Sequence, residues 1–340
     1  MTSGLRVGIA GYGLAGRFFH GRLLKGSGFE VVGIVTKDDG RANSAREDFP
    51  GVAVVREFSD LLHMDLDLIV IATANSVHAS QSIAALEAGV PVVVDKPMAL
   101  NFSQTEEVVL ASRRTGVPIT VFFNRRWDSD ALTIKKLISE GTLGEVFRLD
   151  SRFERFRPNP TAQTWRTTLP ASEGGGTLLD LQSHLVSLAL DWFGPAAVGY
   201  SSIRSVRGMS DDDVVIVLNH ASGVDSYLSA SAIVGSPGPR IRLMGDKGAL
   251  VISELDPQEA LLRKGKFPVD GVWQENARSK AKLVFGSDEE EYEAVPGSYG
   301  SFYEAIKLAL VGKGEWPVST ADALAVAKII DVAREVSVRE

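Results

Sequence analysis

Three stretches of the 340-residue chain hold side chains capable of chemistry at informative spacings. In Val92-Val-Val-Asp95-Lys96-Pro97, three β-branched residues run into an acid, an ammonium and a proline. An apolar run without alternation is the pattern of a parallel strand covered on both faces. Pro97 ends that strand, because it has no N–H for a ladder and drives Lys96 towards extended geometry. Lys96 then stands at the carboxyl end of a strand, where open α/β sheets bind ligands; the alternative is a surface lysine in a turn. In Glu173-Gly-Gly-Gly176-Thr-Leu-Leu-Asp180-Leu-Gln-Ser-His184, Asp180 and His184 are spaced i, i+4. On an α-helix they share one face, as a carboxylate-oriented imidazole suited to proton transfer near neutral pH or as a surface ion pair. The third stretch collects Arg152, Phe153, Arg155, Phe156, Arg157, Pro158, Pro160, Trp165 and Arg166. It fits a grip on a phosphate-bearing cofactor or an oxygen-rich substrate, and equally an exposed loop paired to neighbouring acids.

The elements that must position these residues begin with an apolar run at 5–10, then Gly11-Tyr12-Gly13-Leu14-Ala15-Gly16 and a helical stretch to Lys25. Strand, GxGxxG, helix is the context of dinucleotide binding: Gly11 for the tight turn, Gly13 for approach of a pyrophosphate, Gly16 for close helix–strand packing. The helix N-terminus faces the phosphates. A second strand at 29–35 ends in Thr36-Lys37, where an NAD site carries an acid for the ribose 2′-hydroxyl. A hydroxyl beside an ammonium favours a 2′-phosphate, hence NADP(H) over NAD(H), unless Asp38 or Asp39 takes that place. Strands at 52–55, 66–73, 92–95 and 119–123 alternate with helices at 59–63, 76–88 and 103–114, the last opening on Ser103-Gln-Thr-Glu106 as a capping box. Six strands so separated predict a doubly wound parallel sheet in 1–123.

From Asn124 onward the pattern changes to a helix at 129–140, then strands at 144–153, 197–206, 213–220, 224–234, 240–244 and 249–253 with few helices between them. This predicts an α+β domain over 124–340 with a largely antiparallel sheet. Residues 287–293 read as an acidic solvated loop, and 300–311 and 319–336 as terminal helices. Tyr303-Glu-Ala-Ile-Lys307 reads as helix packing with a surface lysine.

A net charge of −7 provides no basic field for nucleic acid or anionic membrane. The absence of cysteine excludes disulfides, thiolate metal sites and a cysteine nucleophile. The first residues lack a secretory pattern, no apolar run reaches the ~20 residues of a membrane helix, and no metal-ligand spacing is present. A soluble, cytoplasmic chain is expected.

Together, Gly11-Tyr-Gly-Leu-Ala-Gly16, Asp95-Lys96-Pro97, Asp180-x-x-x-His184, Asn124-Arg-Arg-Trp-Asp128 and Arg155-Phe-Arg-Pro158 with Trp165-Arg166 resemble the glucose–fructose oxidoreductase / inositol dehydrogenase / rhizopine-catabolism (Gfo/Idh/MocA) family over nearly the whole chain, and within it the NADP-using scyllo-inositol dehydrogenase branch. The resemblance implies a Rossmann domain followed by an α+β domain whose open sheet forms a homodimer or homotetramer. It further implies hydride transfer to or from a secondary hydroxyl or ketone of a polyol, sugar or cyclitol. Lys96 would contact nicotinamide ribose and substrate hydroxyl, His184 would take the proton, and Asp180 would orient it or hold a neighbouring hydroxyl. Cofactor contacts are expected from Gly11, Tyr12, Gly13, Leu14, Ala15, Gly16, Thr36, Lys37, Thr73, Asn75, His78, Asp95, Lys96, Asn124, Trp165 and Arg166. Substrate contacts are expected from Lys96, Arg155, Asp180 and His184. Relatives with the same fold also include a dinucleotide-binding regulator and redox-assisted glycosidases. Three departures stand out: Asp95 for the family's glutamate, Gln182 for a glycine, where its side chain would take up part of the pocket, and Ser187 for an acid.

Overall fold

The computed structural model describes residues 4–159, 164–208, 210–267 and 271–338; Pro160 of the arginine-rich stretch lies outside them. The order of elements begins β1 (Arg6–Ala10), a π-helical segment Ala15–Gly21 continuing into α1 (Arg22–Gly26), β2 (Glu30–Val35), α2 (Asp39–Asp48), β3 (Ala53–Val55) and α3 (Phe58–Leu62). There follow β4 (Leu68–Ile71), α4 (His78–Glu87), β5 (Val92–Asp95), α5 (Phe102–Thr115) and β6 (Ile119–Phe122). The later chain adds α6 (Ser129–Glu140), β7 (Val146–Glu154), α7 (Trp165–Thr168), α8 (Ser183–Phe193), β8 (Ala196–Arg204), β9 (Asp213–His220), β10 (Asp225–Ser231), β11 (Ile241–Gly245) and β12 (Ala249–Ile252). It closes with α9 (Gln258–Arg263), α10 (Gly271–Asn276), β13 (Lys280–Phe285), β14 (Asp288–Glu293), α11 (Gly300–Leu310) and α12 (Thr320–Glu335).

The chain forms two compact units. The first comprises Met1–Asn124, Gln258–Trp273 and Ser298–Ala323. Its six strands pair in parallel in the order β3-β2-β1-β4-β5-β6, the dinucleotide-binding order whose switch point falls between β1 and β4. The unalternating valines of β5 and the Leu-Ile-Val-Ile of β4 are fully buried, as strands covered on both faces must be. The segment expected to belong entirely to a second domain returns to this sheet. Phe302 and Tyr303 of α11 are fully buried and set their rings against Phe122 at 4.9 and 6.2 Å between centroids. Apolar faces of helices bury wherever the three-dimensional core is nearest, regardless of the order of the chain.

The second unit comprises Arg125–Pro257, Gln274–Gly297 and Leu324–Glu340. Its eight strands run β14-β13-β12-β11-β7-β10-β9-β8, and all pairs are antiparallel except β7 with β10. Two local expectations are corrected. Residues 287–293 are no loop, since Asp288–Glu293 pairs antiparallel with Lys280–Phe285 as the sheet's edge. Its glutamates do what charge does on edge strands, discouraging pairing with other chains. Helix α5 opens at Asn101, whose Oδ1 accepts the Gln104 N–H at 2.9 Å, so Asn101 displaces Ser103 as the cap. Among the described residues, no helix is long and apolar enough to cross a membrane.

Candidate functional site

The glycine loop follows β1 at the carboxyl edge of the parallel sheet. Gly11 has φ +89°, and a Cβ there would lie 2.6 Å from the Ala72 carbonyl oxygen, so only glycine fits both the turn and the approach to the end of β4. A Cβ on Gly16 would meet the Gly11 oxygen at 1.9 Å, which makes the helix start as close to the loop as backbone allows. Gly13 differs: only the Arg41 Nη1, at 3.8 Å, lies within 4 Å of its missing Cβ. That open cradle, at the start of a helical segment and beside a guanidinium, fits a dinucleotide pyrophosphate. The Tyr12 side chain turns inward and its hydroxyl donates to Asp48 at 2.9 Å, which leaves its backbone for the loop. Burial, then the Asp48 contact, push its phenol well above the ordinary range. Leu14 is exposed and Ala15 half-buried.

At the end of β2, Thr36 is buried and its Oγ1 accepts the Asp38 N–H at 3.3 Å. Asp38 caps α2, its Oδ1 accepting the Arg41 N–H at 2.8 Å, and Asp39 pairs with Arg56 at 2.5 Å. Both acids therefore have structural duties, and β2 ends at Val35, immediately before Thr36-Lys37. Lys37 lies 2.9 Å from Glu57. Arg41 was missed, although its place in the first turn of the helix after β2 was a readable signal.

Further along the same edge, Thr73 Oγ1 donates to Gln81 at 2.7 Å, and Asn75 is buried at the start of a short 3-10 turn. His78 opens α4 and ties two strand ends together: its Nδ1 is 2.8 Å from the Pro97 carbonyl oxygen and its Nε2 3.3 Å from that of Thr73. Burial lowers its pKa despite the Pro97 contact. A neutral imidazole donates one N–H, and the shorter contact takes it. Asp95 Oδ1 accepts the Lys96 N–H at 2.9 Å, and the Lys96–Pro97 peptide is cis. Asn124, buried, follows β6. The first unit thus gathers the glycine loop, Thr73, His78 and Lys96 at the carboxyl ends of β1, β4 and β5.

In the second unit, the glycine-rich approach to Asp180 is explained by one carboxylate. Gly176 has φ +87°, and a Cβ on it would lie 1.8 Å from Asp211 Oδ2. Asp211 Oδ1 accepts the Leu178 N–H at 2.6 Å, and its carbonyl oxygen accepts the Thr177 N–H at 2.9 Å. Asp211 therefore caps, from a distant loop, the helical stretch that carries Asp180. Burial pushes its carboxyl up to about 6, against the opposing Leu178 N–H and the charge of Arg334. The i, i+4 argument assumed α geometry, but Leu178–Gln182 is a π-helical segment that runs into α8 only at Ser183. The wider turn changes how residues four apart align. Asp180 lies 3.5 Å from Arg166, whose guanidinium stacks on Trp165 at 4.2 Å.

His184 is buried in α8, and its ring meets Phe153 edge-on at 6.3 Å. The guanidinium groups of Arg240 and Arg125 lie 3.9 and 4.8 Å from the centre of that phenyl ring. Gln182 is fully buried and donates to the Leu228 carbonyl oxygen at 3.0 Å. That bond ties its Nε2 to β10. Ser187 accepts from the buried Arg126 at 3.0 Å. In the arginine-rich stretch, Arg152 pairs with Asp150 and Glu154 at 3.4 and 3.7 Å, while the Arg155 N–H and carbonyl oxygen bond to Ser231 and Val234 at 3.0 and 3.1 Å. Asp211 and Arg240 carried no signal in the sequence, because each acts through a contact with a distant segment.

Residues 5–123 match the model of the oxidoreductase family with an NAD-binding Rossmann fold, and residues 131–251 match the GFO/IDH/MocA C-terminal domain. The oxidoreductase YdgJ of Escherichia coli is 35% identical across 98% of this chain and 97% of its own. The scyllo-inositol 2-dehydrogenase (NADP(+)) IolW of Bacillus subtilis is 32% identical across 98% and 94%. Among solved structures, the oxidoreductase yvaA of Bacillus subtilis superposes with a TM-score of 0.88 at 32% identity, covering 99% of this chain and 97% of its own. A strand–glycine loop–helix start on a parallel sheet, an antiparallel second sheet and matches spanning both make this chain a member of the GFO/IDH/MocA oxidoreductase family.

Proposed function

We propose that this oxidoreductase uses NADP(H) in preference to NAD(H) and acts on a secondary hydroxyl or ketone of a sugar or cyclitol, as a homodimer or homotetramer. The observation that carries the cofactor preference is the commitment of Asp38 to capping α2. With that carboxylate engaged, Thr36, Arg41 and Lys37, the last also paired with Glu57, are the side chains offered to the adenosine ribose, and two of them are cationic. A 2′-phosphate is attracted by such a set, and a bare 2′-hydroxyl gains little from it. IolW, similar over its full length, is an NADP(+) scyllo-inositol 2-dehydrogenase, which supports the cyclitol class.

When bound, the nicotinamide supplies the hydride acceptor or donor. The chain supplies the rest. Lys96 donates to the substrate oxygen and stabilises negative charge as it develops there, the role of an oxyanion donor. His184 removes the hydroxyl proton in oxidation and returns it in reduction, for which an imidazole is suited in both directions. Asp180, beside Arg166, orients the substrate's neighbouring hydroxyl groups or the imidazole, and Arg155 contributes to the same polar surround. The burial of His184 keeps bulk water from competing for its proton.

The test is absorbance of reduced nicotinamide with NADP⁺ or NAD⁺ against a panel of inositols and aldoses. Turnover with NADP⁺ and a cyclitol is expected. Lys96→Ala and His184→Ala should still bind NADPH and lose about 10²–10⁴-fold in kcat. Near wild-type kcat in either variant removes that residue from the mechanism, and equal kcat/KM with NAD⁺ overturns the cofactor preference.

A further inference from the structure

His20 has no part in the chemistry above, yet it is fully buried in the first unit. It lies in the π-helical segment Ala15–Gly21, immediately after the glycine loop. Single π turns inside helices recur at functional positions because they re-aim side chains that an α-helix would direct elsewhere. The His20 ring packs on Phe122 at 4.4 Å between centroids, and its Nδ1 is 2.6 Å from the Tyr303 hydroxyl. Its Nε2 is buried without a hydrogen-bond partner among the described residues. A buried polar atom in that condition is costly, and native structures keep few of them without cause.

The cause is on the neighbouring strand. Phe122 stands in register with Asp95, so the imidazole packs beside the strand end that carries Asp95 and Lys96. After burial, the Asp95 charge is the largest influence on both His20 and Tyr303. We infer that Tyr303, His20 and Asp95 form one polar chain, hydrogen-bonded from Tyr303 to the buried His20 and coupled through charge from His20 to the half-buried Asp95, that positions Lys96, an assignment that rests on Lys96 being the group that stabilises the reacting oxygen.

The direction of the chain follows from what each group can donate. Three titratable groups face His20: Tyr303 from α11, Asp95 from β5 and His78 from α4. Burial, with His78 adding to it and Asp95 opposing, lowers the His20 pKa to about 4, so the ring is neutral at working pH and carries one N–H. Burial, then Asp95, raise the Tyr303 phenol well above its ordinary range, so its O–H stays available to donate. A carboxylate only accepts. Its field therefore favours the tautomer with the proton on Nε2, and Nδ1 accepts the Tyr303 O–H. The Nε2–H dipole in turn stabilises the Asp95 carboxylate, whose Oδ1 holds the backbone N–H of Lys96 at 2.9 Å. Tyr303 and His20 are positioning residues, acting through Asp95.

The deciding experiment is long-range ¹H–¹⁵N correlation NMR on the full-length protein labelled at histidine. His20 is expected as a single neutral tautomer protonated on Nε2 from pH 8 down to pH 5. Asp95→Asn should convert it to a mixture of tautomers, and Tyr303→Phe should shift Nδ1 without unfolding the protein. A wild-type ring protonated on Nδ1, or one indifferent to Asp95→Asn, overturns the chain. In turnover of scyllo-inositol with NADP⁺, Tyr303→Phe should lower kcat about tenfold, as small displacements of a reacting group do, with cofactor KM unchanged. Wild-type kcat in Tyr303→Phe overturns the positioning role. Wild-type kcat in Lys96→Ala instead removes the reading of Lys96, and the tautomer result then stands on its own.

Discussion

At Asp38 a single residue's local duty bears on the proposed cofactor preference. In the sequence, Thr36-Lys37-Asp38-Asp39 offers both a phosphate-attracting and a phosphate-repelling reading, and a shift of two residues at the strand end exchanges them. The fold commits Asp38 to an N-cap, its side chain accepting the Arg41 N–H of its own helix, which supports the phosphate-attracting reading proposed above. Lys37 is already paired with Glu57, so Arg41, beside the open face of Gly13, carries more of the expected phosphate contact. Charge-assisted hydrogen bonds contribute about 1.5–3 kcal/mol. Arg41→Ala should therefore weaken NADPH binding by roughly 10- to 100-fold and change NADH binding far less, as read by fluorescence titration. Equal losses for both cofactors would place Arg41 at the pyrophosphate. The motif residues were legible because they are local; Arg41 was equally local and lay just beyond the motif.

Among the elements, the parallel strands were legible and the cap on the helical stretch that carries Asp180 and leads to His184 was not. Strands β4 and β5 announce themselves by unbroken β-branched and aliphatic runs, whereas β14 hides in Asp-Glu-Glu-Glu-Tyr-Glu, a composition that reads as solvated loop until β13 pairs with it. Asp211 was invisible for a different reason: its partners, Leu178 and Gly176, lie more than thirty positions earlier in the chain. Its burial has a measurable consequence. A carboxyl at about 6 in the folded chain, against about 3.9 when unfolded, binds its proton more tightly in the folded state. The stability it contributes is complete below about pH 4 and is lost as pH rises through 6, by up to about 3 kcal/mol. Asp211→Asn keeps an acceptor for the Leu178 N–H and removes the titration. Its denaturation midpoint should gain on that of the wild type as pH rises from 4 to 7. A difference that stays constant with pH would show that Asp211 does not carry this linkage.

At the scale of the whole molecule, one face of the eight-stranded sheet remains to be accounted for. The opposite face receives α8 through His184 against Phe153 and the π-helical segment through Gln182 against Leu228. On the remaining face, register lines up Tyr200, Val217, Tyr227, Asp150, Arg242, Val251, Lys282 and Glu291 in one row. The row passes from aromatic and aliphatic groups, through a cationic centre, to an acidic edge. Asp150 sits fully buried at the centre: burial alone would raise its carboxyl, but hydrogen bonds from Arg242 and Arg148 outweigh this and hold it below the usual range. Arg148 also covers the Tyr227 ring at 4.4 Å. A second copy turned by a two-fold axis through the apolar end sets Tyr200, Val217 and Tyr227 against their like, which is the self-complementarity that an isologous interface needs. The proposed homodimer or homotetramer is therefore expected to pair through this row. Sedimentation velocity should give a multiple of 36.5 kDa for the wild type. Val217→Lys, which places an ammonium among the apolar groups of the row, should shift the mass towards 36.5 kDa with the circular dichroism spectrum unchanged. A monomeric wild type at micromolar concentration would remove the interface, and an unaltered assembly in Val217→Lys would move it to another face of the chain.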